Sequence, residues 1–455
     1  MKSKIFTFIF LFTIAIGNAQ VQLLETKESD GFWIEPERDT DEVCMSPEEY
    51  KRIKSRIEKS AKHMRKSGVL EKHFSTDSRM AHPLFEWPMR QADGFNDPGY
   101  YYISNYVDLD PDTTIVLDFN GLDQSYNGHR GIDITTYPYF WKKMADAHVE
   151  AIAAADGVII FKDDGNNDTS CECEDSEGWN AVYVMHADGS IAWYGHLKTN
   201  STTAKDSGDI VNVGEYLGVI GSSGCSTNPH LHFEVYDDMD SLVEPFFGPF
   251  NTTTTDSWWA NQLPYYDSGI NKIATHSTAS TTPDCPGIEV PNEKIGFNQG
   301  DPITFSIAIR HSLTSDSAVI EVFEPDGDQS SILDVTYIRE GTLFIKRASL
   351  NWNRTLGNEA EMGKWTYRVT YYSSAYAPAI VETYFWVKED CVPNIIHVTP
   401  KTQSAYYQAS NAILSASTVS NGIHIVYDAD SSATLLPGFI APSGSKLEIK
   451  LAGCN

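Results

Sequence analysis

The chain has 455 residues, enough for two to four domains with sizeable cores. Its 62 acidic against 34 basic side chains leave a net charge of −28, which repels phosphates and makes nucleic acid a poor partner. Beyond a short leader, no apolar run is long enough to span a bilayer.

That leader is MKSKIFTFIFLFTIAIGNAQ. Lys2 and Lys4 precede an apolar run from Ile5 to Ile16, and small residues follow at Gly17 and Ala19. This is the pattern of a secretory signal peptide over residues 1–19, cut after Ala19, so the mature chain is expected outside the cell or at its surface. Seven cysteines fit an oxidising compartment: Cys44, Cys171, Cys173, Cys225, Cys285, Cys391 and Cys454. The odd count leaves at least one without an intramolecular partner.

Residues 20–82 form a polar N-terminal segment. Ser46 as cap and Pro47 at the first helical position predict a helix reaching about Lys72. Its apolar residues are few (Tyr50, Ile53, Ile57, Met64), which favours a surface helix over a propeptide-like cover for a cleft. From residue 83 to about 250 the texture changes to short aromatic-rich runs between Gly, Pro, Asn and Asp, as expected for a mostly antiparallel β domain. Residues 251–284, rich in Thr, Ser and Asn, read as a linker. Residues 285–391 hold five alternating runs and predict an Ig-like β-sandwich, with a Cys285–Cys391 disulfide as one way to tie its ends. Residues 392–455 form a short C-terminal β module, and no long repeat stands out.

The chemistry concentrates in three places. GHRGIDI carries His129 and Asp133, WYGHL carries His196, and PHLHFEV carries His230 and His232. On a strand, residues two apart share a face, so His230 and His232 point one way and Leu231 and Phe233 the other. A catalytic zinc site needs three nitrogen or oxygen ligands, an open position for water, and a nearby group to move a proton. Taken singly, each residue has a plain structural role open to it; five in order amid glycine-rich turns are a stronger sign.

These residues resemble the motifs of the lysostaphin/LytM-type zinc peptidases. AIAAADGVII, VYVMHADGSIAWYGHL, VNVGEYLGVIGSSG and PHLHFEV follow that family's order, and the resemblance covers roughly Phe85 to Gly248. It implies an antiparallel β catalytic domain of the duplicated hybrid motif type, holding one Zn2+ per chain on His129, Asp133 and His232. It implies catalytic roles for His196 and His230 as general base or oxyanion partner, with the order between them open. Peptidoglycan cross-link peptides are the implied substrate, and a glycine-rich polypeptide is the alternative. A non-catalytic wall-binding or amidase-activating module is argued against by the intact ligand set. Tyr194 and the turn from Gly221 to Gly224 are candidate groove walls by adjacency to His196 and His230. His186 reads as structural, while His148 and His276 read as surface residues. Cys225 has Cys171 or Cys173 as possible partners, and Asp163 to Gly178 reads as a solvated acidic loop rather than a calcium site. Trp352 and Trp365 are the motive for a glycan-binding role of the sandwich, with core packing as the other reading. At the C-terminus, Leu436-Pro437-Gly438-Phe439 and Cys454 look like a short module of secreted Bacteroidetes proteins, linked there to export and surface attachment.

Overall fold

The computed structural model describes residues 45–74, 81–112, 115–173, 178–339 and 344–454, together with the backbone of 31–33. The leader and Cys44 lie outside the described residues. Six strands build the first domain: β1 (Tyr101–Asn105), β2 (Ile132–Thr136), β3 (Gly157–Asp163), β4 (Ala181–Met185), β5 (Ile191–Gly195) and β6 (His230–Tyr236). They pair antiparallel in the order β1-β2-β6-β5-β4-β3, with short strands at Ile210–Val211 and Leu242–Val243 completing the sheet. Mainly β architecture with antiparallel sheets is what the alternating runs require. Leu231, Phe233 and Val235 of β6 are fully buried in the inner core with Ile132, Ile134 and Tyr194. Each such side chain contributes about 1.5–3 kcal/mol of burial. Residues Met89–Gln91, Val149–Ile152 and Tyr216–Val219 form a second, three-stranded sheet over that core.

The N-terminal helix, α1 (Pro47–Lys66), starts as its sequence dictates: Ser46 Oγ accepts from the Glu49 N–H at 3.2 Å. Gly68, at φ 76°, supplies the left-handed residue beyond its end. Ile53, Ile57, Ala61 and Met64 form one apolar stripe. That stripe is buried against Val158, Ile160, Ala181, Tyr183, Met185, Trp193 and Tyr236. The helix is therefore not a surface appendage, as its sparse apolar content led us to expect. It covers the outer face of the same sheet, because sparse apolar residues at the right spacing still make a continuous stripe.

Residues 251–284 do more than connect. Trp258 and Trp259 are buried in the first core, and the Trp258 carbonyl accepts from the Phe85 N–H at 2.6 Å. Gly269–His276 is a strand, paired antiparallel with Pro302–Leu313, and so belongs to the sandwich. Buried His276 spans Pro291 O and Ser306 Oγ there, correcting its assignment to the surface. A register irregularity between Ile270 and Lys272 breaks the alternation of this strand, and its Thr- and Ser-rich flanks add to the look of a linker. Two sheets sandwich a core that includes Trp352 and Trp365, both buried, which removes the motive for glycan binding on this domain. The disulfides are Cys171–Cys285, Cys173–Cys225 and Cys391–Cys454. Cys285 thus ties the sandwich to the first domain instead of to Cys391. In the C-terminal module every strand pairing is parallel, joining Asn394 with Ala412, Ala405 with Ile425 and His424 with Lys446. The backbone repeats every 18–22 residues in these pairs, a solenoid whose repeat the sequence does not display. No described helix is long and apolar enough to cross a membrane.

The joint between the first domain and the sandwich is hydrogen-bonded. Buried His311 accepts from the Asp267 N–H through Nδ1 at 3.2 Å and donates through Nε2 to Ile103 O of β1 at 2.8 Å. Accepting at Nδ1 needs the neutral ring, and burial lowers its pKa to about 4. A folded pKa below the unfolded value of about 6.5 means stability that is full above pH 6.5 and is lost as pH falls toward 4, about 3 kcal/mol in all. In urea unfolding at pH 7.5 and pH 4, His311→Gln is expected to be the less stable at pH 7.5 but to lose less on acidification than the wild type.

Candidate metal centre

One row of residues across three strands sets the site. Asp133 of β2 sits opposite His232 of β6, and His232 sits opposite Gly195 of β5. His129 enters from the turn before β2. Asp133 Oδ2 lies 3.2 Å from His129 Nε2, and Asp133 Oδ1 lies 2.9 Å from His232 Nδ1. The two ring nitrogens are 3.3 Å apart. All three side chains are buried, and their ligand atoms lie within 4.8 Å of one another.

The outer partners of the rings assign their protons. His129 Nδ1 is 2.7 Å from Tyr106 O, an acceptor only, so Nδ1 carries the hydrogen and Nε2 the lone pair. His232 Nε2 is 3.2 Å from Glu234 Oε2, which places its lone pair on Nδ1. Two lone pairs and a carboxylate therefore meet at one buried point, an arrangement that repels itself unless a cation lies between them. The residues fit a divalent metal, and a His-Asp-His set of nitrogen and oxygen donors suits zinc.

Two more imidazoles stand beside this point. His230, one residue pair along the same face, has Nε2 3.5 Å from Asp133 Oδ1 and Nδ1 2.8 Å from Asn228 O. His196 follows β5 in the left-handed conformation, φ 59°, uncommon for a residue with a side chain. Its Nδ1 is 2.6 Å from Ser223 O in the Gly221–Gly224 turn, and its ring centre is 4.4 Å from that of His230. Burial, with His230 and His232 as neighbours, holds the His196 pKa well below the usual histidine range. For Asp133, burial pushes the pKa up, but positive charge on His129 and His230, when those rings hold a second proton, outweighs it and holds the carboxyl well below its ordinary value.

Of the expected residues, His129, Asp133, His196, His230 and His232 come together, and Tyr194 does not. Tyr194 sits on the opposite face of β5, fully buried against Phe233, with its hydroxyl accepting from the Ala154 N–H at 2.8 Å. Its neighbour Gly195 faces the site, so adjacency in sequence to His196 was misleading on an alternating strand. The turn beside His196 is close-packed: a Cβ on Gly221 would meet the Lys198 nitrogen at 2.4 Å. Sequence reasoning missed Trp179, Asn105 and Glu234. Trp179 fills the space over Gly195 and stands edge-on to His196, with ring centres 5.0 Å apart. Asn105 Nδ2 donates to Asp133 Oδ2 at 3.0 Å. Glu234 was within reach of the alternation, two residues past His232 on the same face; Trp179 gave no local signal.

Comparison with known proteins adds to this geometry. Residues 127–245, the span holding all five of these residues, match the model of Peptidase family M23. This part of the first domain is thus similar to M23 peptidases. An 82-residue stretch is 40% identical to the DD-carboxypeptidase/endopeptidase Mpg of Neisseria meningitidis serogroup B, and equally to that of Neisseria gonorrhoeae. That stretch is 18% of this chain, and the chain spans only 16% of the length of those relatives. A mutant catalytic domain of the prophage-encoded M23 protein EnpA from Enterococcus faecalis is 24% identical, over 34% of this chain and 94% of that one, with a TM-score of 0.21.

Gly131 of the HRGID stretch gives a direct test of the ligand point. A Cβ there would lie 2.5 Å from His232 Nε2, so Gly131→Ala must push the ring aside. Titration of zinc into the metal-free protein is expected to show affinity weakened about 10- to 100-fold.

Proposed function

We propose that the chain is an exported zinc metalloendopeptidase that hydrolyses peptide bonds in peptidoglycan cross-links, next to a small residue such as Gly or D-Ala. One observation carries this reading: two imidazole lone pairs and a carboxylate converge on a buried point flanked by two further imidazoles. The M23 match and the similarity to Mpg support a cell-wall peptide as substrate. The leader pattern with Lys2 and Lys4 supports export, and the Leu436–Phe439 stretch with Cys454 supports a C-terminal module for export or surface attachment.

His129, Asp133 and His232 would hold the ion. When bound, zinc polarises the scissile carbonyl and lowers the pKa of a water toward about 7. His196 serves as general base, because its neutral form dominates and its Nδ1–H is fixed on Ser223 O. His230 gives its Nδ1–H to Asn228 O and presents Nε2 toward the same point; as the imidazolium, with a second hydrogen on Nε2, it donates to the carbonyl oxygen as charge develops there. The leaving amine then takes its proton from His196.

The test pairs zinc content with release of peptides from purified sacculi. Wild type is expected to hold one zinc per chain and to release peptides, and His232→Ala to do neither. His196→Ala is expected to keep its zinc and lose about 10²–10⁴-fold in turnover. Zinc with intact sacculi would move the substrate to glycine-rich proteins, and a wild type without zinc would overturn the reading.

A further inference from the structure

The ligand face of β6 continues beyond the ligands. Glu234 and Tyr236 follow His232 on the same side of the strand, and both are buried. Tyr236 Oη donates to Glu234 Oε1, while Glu234 Oε2 receives the His232 Nε2–H at 3.2 Å. Tyr236 also shares a hydrogen bond with the hydroxyl of Tyr50, which lies on α1, 186 residues earlier in the chain. A phenol has a single hydrogen, and that of Tyr236 points to Glu234; Tyr50 must therefore donate to the Tyr236 oxygen. The order is fixed from end to end: Tyr50 to Tyr236, Tyr236 to Glu234, with His232 donating to Glu234 from the other side.

Tyr50 is itself held in place. Its ring packs on Trp193 with centroids 5.6 Å apart. The guanidinium of Arg130, next in sequence to His129, lies 4.2 Å from the Tyr50 ring centre. Behind Tyr50, the α1 stripe of Ile53, Ile57, Ala61 and Met64 is sealed against the sheet. A segment meant to be shed would not be expected to bury a stripe of this length or to end a chain of buried polar groups.

We propose that α1 is a permanent part of the metal centre, with Tyr50 a positioning residue that acts through Tyr236 and Glu234 to hold His232 with Nδ1 toward the ligand point. This rests on the zinc-site reading above. Removing the Tyr50 hydroxyl takes away the donor to the oxygen of buried Tyr236, so Glu234 and then the His232 ring lose their fixed orientation. The helix that precedes the domain therefore supports metal binding, and taking it away weakens the site instead of unmasking it.

The experiment measures zinc affinity by chelator competition in the full chain, beside the thermal midpoint of the zinc-free protein. Tyr50→Phe keeps the ring stacking and deletes the O–H; zinc affinity is expected to fall about tenfold with the midpoint little changed. Tyr236→Phe is expected to fall at least as far. The double variant should bind no more weakly than Tyr236→Phe alone, since Tyr50 acts only through Tyr236. Ile57→Val, which thins the helix packing without touching the chain of hydroxyls, should lower the midpoint and leave zinc affinity as in the wild type. Wild-type zinc affinity in Tyr50→Phe, or losses that add in the double variant, would overturn this inference alone. A wild type that binds no zinc would overturn the zinc reading and this inference with it.

Discussion

The pairing register of β2, β6 and β5 is the constraint on which the site depends. Side chains alternate faces along a strand, so a slip of one residue would move Asp133 or His232 to the opposite side. What resists the slip is the inner face. Ile132, Ile134, Leu231, Phe233 and Val235 are each fully buried, and a shift would exchange them for Asp133, His230, His232 and Glu234. Burial of each apolar side chain contributes about 1.5–3 kcal/mol, whereas a carboxylate placed unpaired in that core costs several. The polar cluster is thus located by the apolar set it alternates with, and its own interactions need only refine the geometry.

That refinement comes from acceptors outside the ligand point. Tyr106 O, Ser223 O and Asn228 O each take one imidazole hydrogen, and Glu234 takes the fourth. Three of the four are backbone carbonyls in loops, so the loops must be held as firmly as the strands. The segment carrying Ser223 and Asn228 is held at several points. Cys173–Cys225 crosses it, Ser222 and Ser226 are hydrogen-bonded within it, and the Gly221 backbone lies against Lys198 too closely for any side chain. The Gly- and Ser-rich composition of this turn reflects close packing beside two imidazoles, where added atoms have no room.

Much of this was legible because it is periodic or local. The alternation in PHLHFEV placed two histidines on one face, and the Ser46-Pro47 start located α1. The five residues that come together at the candidate site were read from motif order. What escaped was non-local. Trp179 reaches His196 across a loop, the Tyr50–Tyr236 pair joins residues 186 apart in the chain, and the Cys171–Cys285 link crosses from one domain to the next. Tyr194 was misplaced for a different reason: adjacency was weighed where alternation should have been. The parallel solenoid escaped because its repeat is of backbone spacing, and few side chains are common to successive rungs.

The sandwich touches this arrangement through β1. Asn105, at the end of β1, donates to Asp133, and the rest of the strand is where the two domains are joined. His311 donates to Ile103 O, Asn271 to Tyr101 O, and the Tyr101 hydroxyl to Asp267, which is paired with Arg310 at 3.0 Å. Apolar contact alone allows two domains to slide, since the hydrophobic effect has no direction. These bonds are directional and largely removed from water, so sliding would strand several buried polar groups at once, each at a cost of about 1–3 kcal/mol. The joint therefore holds β1 in one position, and with it the asparagine that steadies the ligand carboxylate. A domain with no residue at the metal point takes part in setting its geometry.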